Sequence, residues 1–104
     1  MELLPQEIRD ALPKYTHDLE EPATALVKWF TPDANAVWFV AAIDGDRAWG
    51  VADLGLGSPE YGSFSVSEIA TLTGVLGLPV ERDLYFEPKP LRDILRTLEA
   101  GGHV

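Results

Sequence analysis

Apolar and polar positions change period several times along these 104 residues. Leu4, Ile8 and Leu12 recur at helical spacing behind Pro5, a favourable first-turn residue, and Pro13 stops the pattern. This predicts a short first helix. Residues 14–24, with Asp18, Glu20, Glu21 and Pro22, read as an acidic loop. A mostly apolar strand is then expected from Ala25 to Thr31, followed by a turn at Pro32-Asp33-Ala34-Asn35. Ala36 to Ile43 is almost wholly apolar, as suits a central strand covered on both faces. Asp44-Gly45 signals a type I′ hairpin, because glycine accepts a positive φ. The return strand, about Asp46 to Leu54, sets Trp49 and Val51 on one face and the small Ala48, Gly50 and Ala52 on the other, where something bulky must pack closely.

A loop at Gly55-Leu56-Gly57-Ser58-Pro59 leads to a short strand, Glu60 to Phe64. Ser65-Val66-Ser67-Glu68 matches a capping box, and Ile69, Leu72 and Leu76 extend one helical face until Gly74 and Gly77 loosen it. A fifth strand is expected near Asp83–Glu87. Alternation would align Asp83, Tyr85 and Glu87 on one side and Leu84 and Phe86 on the other. Pro90 opens a last helix with the stripe Leu91, Ile94, Leu95 and Leu98, ended by Gly101-Gly102. The order predicts an α+β fold: a mainly antiparallel β-meander of about five strands, with three helices packed mostly on one face. Residues 1–104 read as a single compact domain.

Charge changes the picture more than composition does. The net charge is −9, and residues 1–80 carry 4 bases against 12 acids. Such a body repels phosphate backbones, so direct nucleic-acid binding is disfavoured; the only basic strip, Lys89, Arg92 and Arg96, reads as a solvated helix face. A basic protein partner or a metal ion is electrostatically favoured. With no cysteine there is no disulfide, thiolate metal site or Cys nucleophile. Neither a signal peptide nor a membrane-spanning run is present, and the expectation is a cytoplasmic protein.

Several stretches together carry a resemblance. Phe30-Thr31-Pro32-Asp33, Trp38-Phe39, Ile43-Asp44-Gly45, Gly62 to Ile69 and above all Gly77 to Pro88 resemble a bacterial domain-of-unknown-function family, numbered 2958. The chain departs from that pattern at Ala42, where an acid is expected, and at Ser63, where a tyrosine is expected. The resemblance implies a compact domain, often encoded on mobile elements near DNA-processing genes, and implies no particular activity.

The candidate site is Glu81, Arg82, Asp83, Tyr85 and Glu87, to which a loop acid such as Asp44 or Asp53 could be added. Converging carboxylates could hold a divalent ion or act as an acid–base pair; paired with Arg82 or other bases, they would only fix and protect a strand edge. His17 and His103 lack metal-site spacing, and Ser58, Ser63, Ser65 and Ser67 lack a nucleophile elbow. The Gly55-x-Gly57 loop lacks the remaining features of a phosphate cradle. Trp29 and Phe30, or Trp38 and Phe39, cannot share a face, so an aromatic side of the sheet is expected either to be buried or to face a partner. The leading expectation is a non-enzymatic interaction domain, needing no cofactor or metal, whose acidic and aromatic sheet face around Tyr85 docks a protein. The alternative is a metal-dependent hydrolase or nuclease-like enzyme using Asp83, Glu87 and a loop acid.

Overall fold

The computed structural model describes residues 2–16 and 23–104. His17 and most of the expected acidic loop lie outside the described residues. The elements in chain order are α1 (Gln6–Ala11), β1 (Thr24–Ala25), β2 (Val27–Phe30), β3 (Val37–Asp44), β4 (Arg47–Asp53), β5 (Glu60–Ser65), α2 (Val66–Thr71), β6 (Glu81–Arg82), β7 (Lys89–Pro90) and α3 (Leu91–Glu99). The α+β expectation holds. Five antiparallel strands form one sheet in the order β5-β4-β3-β2-β6, and β1 and β7 pair as a small second ladder.

β3 is the centre because its apolar run serves two cores. Trp38, Val40 and Ile43 join Val27, Trp29, Leu4 and Ile69 on the face covered by α1 and α2. Phe39 and Ala41 join Val51, Leu91 and Ile94 beneath α3 on the other. Two helices thus share one face and the third covers the opposite one. Strict alternation would put Ile43 with Phe39; the register shift between Val40 and Ala42 makes Ala41 an extra residue and returns Ile43 to the Trp38 face. The small residues of β4 make room for rings. Trp29 of β2 and Phe64 of β5 meet over them with centroids 6.2 Å apart, although β3 and β4 lie between their strands. Trp29 also donates its indole N–H to the buried Leu3 carbonyl at 2.7 Å, which satisfies the one polar group of a wholly buried ring.

Three local expectations are corrected. The β3–β4 loop is Gly45-Asp46, between the paired Asp44 and Arg47, and only Gly45 has positive φ (58°). That is the sign pattern of a type II′ turn, which needs glycine first and tolerates aspartate second. α2 ends at Thr71, so Leu72 and Leu76 are exposed instead of continuing its buried face. The fifth strand is only Glu81–Arg82, at the sheet edge beside β2; residues 83–88 are turn and coil. No helix among the described residues is long and apolar enough to cross a membrane.

Candidate functional site

Lys28 organises the margin of the sheet where the expected site residues fall. It sits on β2 with its side chain mostly buried, over the rings of Phe30 and Phe39 (5.8 and 6.0 Å to the centroids). Its ammonium donates to the Val104 main-chain oxygen at 2.6 Å and lies 3.7 Å from the Asp83 carboxylate. Asp83 is the hinge at the end of β6. Its N–H donates to the Lys28 carbonyl at 3.0 Å, and its Oδ1 accepts from the Tyr85 N–H at 2.9 Å. An aspartate that accepts from the amide two residues on closes an Asx turn, so the chain folds over at Leu84–Tyr85 instead of continuing as a strand. The prolines at 88 and 90 contribute no N–H to extend the ladder.

This turn separates what alternation aligned. Tyr85 projects into solvent at 92% exposure, and Leu84 is 61% exposed. Phe86 turns inward onto Phe39, with ring centroids 5.7 Å apart. A groove of about 260 Å³ runs beside the turn, walled by Ile8, Leu26, Leu84 and Phe86, with Arg82 and Asp83 also lining it. Glu81 is half-buried opposite Phe30 on β2, and Arg82 donates to the Glu2 carbonyl at 3.1 Å. Glu87 is exposed and does not line the groove. The expected aromatic sheet face is therefore corrected: both faces are covered, Trp29 and Trp38 are buried, and Tyr85 stands on a turn.

The carboxylates are held separately. Asp53 accepts from the Gly55 N–H at 2.9 Å, and Asp83 is engaged as above. Among the described residues no group of three His, Asp or Glu side chains is placed to hold a metal ion. His103 is exposed at the rim of a cavity of about 470 Å³ beneath the C-terminal residues.

Two aspartates that periodicity did not single out organise their neighbourhoods. Asp46, second in the hairpin loop, accepts from the Ser67 N–H at 2.8 Å and the Ser67 hydroxyl at 2.7 Å, and also from the Ser65 hydroxyl. Ser65 in turn accepts from the Glu68 N–H at 3.2 Å, the expected cap. These bonds, led by the Ser65 hydroxyl, hold the Asp46 carboxyl below its ordinary pKa. Arg9 of α1 donates to the Gly45 carbonyl of the same loop at 2.8 Å. Asp33, in the β2–β3 turn, accepts the N–H groups of Leu76 and Leu78 at 2.6 and 3.2 Å. A compact turn between Thr73 and Pro79, with Gly77 at φ 81°, is thereby fixed while Val75 stays 86% exposed. The serines and glycines of these segments were legible, but not the acids they serve.

A family model described as a protein of unknown function (DUF2958) matches residues 3–104. No curated protein and no solved structure matches the chain.

Proposed function

We propose that this chain, which belongs to the DUF2958 family, is a small non-enzymatic interaction domain of the cytoplasm that docks a protein partner at the Leu84–Tyr85 turn. The supporting observation is a contrast between exposure and order. Leu84 and Tyr85 project apolar surface into solvent, yet the main chain beneath them is fixed by Asp83 and Lys28. A tyrosine whose main chain is already fixed has only its side chain left to order on binding, which favours its use as an aromatic anchor. The adjoining groove receives an apolar group between Ile8, Leu26 and Phe86, while Glu81 and Glu87 near the turn orient basic groups of the partner. The resemblance to domains of mobile elements points to basic DNA-processing proteins as the partner class.

The test is a photo-crosslinking amino acid in place of Tyr85, with the same group in place of the exposed Glu99 as control. The reading expects one dominant partner crosslinked from position 85 only, and lost when Leu84→Ser is added with the unfolding temperature unchanged. Equal crosslinking from both positions would sink it.

A further inference from the structure

The other margin of the sheet, β5, has a separate opportunity. β5 is the outermost strand, paired with β4 on one side; among the described residues no strand pairs with its other side. The two-residue loop fixes which main-chain groups face outward. Asp44 and Arg47 flank it and exchange hydrogen bonds, so Ala48, Gly50 and Ala52 direct theirs toward Phe64, Gly62 and Glu60. Ser63 therefore directs its N–H and C=O away from the sheet. Among the described residues the edge carries few of the usual protections: within Glu60–Ser65 the charged residue is Glu60, there is no lysine, proline or register shift, and the side chains at Gly62 and Ser63 are minimal.

Two concavities lie end to end along this strand. At the Glu60 end, one of about 390 Å³ is walled by Leu54, Leu56, Tyr61 and Phe64, with Leu56 82% exposed. At the Ser65 end, one of about 500 Å³ is lined by Asp44, Asp46 and Glu68 against the single cation Arg47. We propose that β5 accepts an extended segment of a partner protein as an added antiparallel strand, basic in its N-terminal half and apolar in its C-terminal half. Strand addition supplies main-chain bonds for affinity, and the two concavities read alternate side chains for specificity. A second copy of this chain fits poorly. Two-fold pairing of β5 with itself would bring the acids at the Ser65 end against Glu60 of the other copy, between bodies that each carry −9. The surface is independent of the Tyr85 turn, so either reading can fail alone.

The probe is a synthetic octapeptide with N-terminal lysines, alternating valine and threonine, and a C-terminal leucine, titrated to millimolar concentration against the ¹⁵N-labelled chain. Saturable shifts are expected at residues 54–65 with slowed exchange of the Ser63 amide. Binding is expected to weaken at least about tenfold when alternate peptide amides are N-methylated, or when its lysines become glutamates. Ser63→Pro removes no hydrogen bond of the β4–β5 ladder, only an outward N–H, although its ring also restrains φ; it should fold but not bind, and the methylated peptide carries the test if that variant does not fold. Shifts centred on Leu84–Phe86, no shifts at all, or undiminished binding of the methylated peptide would overturn the proposal. So would a dimer of the free chain in sedimentation that Ser63→Pro dissolves.

Discussion

A β-carbon built on Gly50 falls 1.7 Å from the Phe39 carbonyl oxygen, beside the register shift at Val40–Ala42. No side-chain rotation relieves a clash with main chain. Gly50→Ala is therefore expected to cost about 3 kcal/mol or more, at or beyond the usual range of overpacking, read from urea unfolding. Gly62, its partner on β5, has open space at the same test, and Gly62→Ala should be far milder. Asp46 sets a pH dependence. Its folded pKa is lowered, chiefly by the Ser65 hydroxyl, then by the Ser67 hydroxyl and N–H. The folded state thus prefers the ionised form, and this contribution is present in full above the unfolded value of about 3.9 and is lost as pH falls through the lower folded value. The gap in unfolding temperature between wild type and Asp46→Asn should hold steady at neutral pH and close below about pH 4. A gap that persists into acid would mean that the carboxylate charge is irrelevant to the cap.

At the scale of elements, the turn between Thr73 and Pro79 shows what a single carboxylate organises. Two amides share Asp33 Oδ2, and the lack of a β-carbon at Gly74 leaves room for Oδ1, which would otherwise be met at 1.6 Å. Asp33→Ala is expected to raise amide exchange at Leu76 and Leu78 by more than about tenfold, in keeping with about 1.5–3 kcal/mol for hydrogen bonds to a charged group. Gly74→Ala should mimic it by displacing the carboxylate. The same turn explains why sequence reading overran α2. Leu72 and Leu76 keep helical spacing, but beyond Thr71 the Leu76 and Leu78 amides are taken by a residue some forty positions earlier. β3 was legible as an apolar run because both its faces meet a core, β4 because it alternates, and the capping serine because its signal is local. The fifth strand was misplaced because Asp83 takes the amide of Tyr85 two residues on, and because the remote Lys28 holds Asp83 there. Of the expected site residues, Arg82 and Asp83 line one groove with Tyr85 on the turn beside it, whereas Glu87 stands apart.

For the whole molecule, the two cores share β3, so neither can dissolve without exposing the back of the other. Tryptophan fluorescence, which samples Trp29 and Trp38 in one core and Trp49 at the other, and far-ultraviolet dichroism should give coincident unfolding curves. Separate transitions would mean that the α3 face unfolds independently. The net charge of −9 acts at the same scale. It is spread over both margins: Glu81 and Glu87 near the Tyr85 turn, Asp44, Asp46 and Glu68 beside β5. On the proposed interaction function, a basic partner would be drawn in by the whole body before either surface selects it, and that attraction would be screened once the Debye length falls from about 10 Å in 0.1 M salt to about 3 Å in 1 M. The association rate with a captured partner is expected to drop about tenfold or more over that range, while the dissociation rate, set by Tyr85 and the apolar groove, changes much less. Stopped-flow measurement of both rates separates the contributions. A salt-independent association rate would show that contact alone selects the partner and that the excess of acids serves solubility.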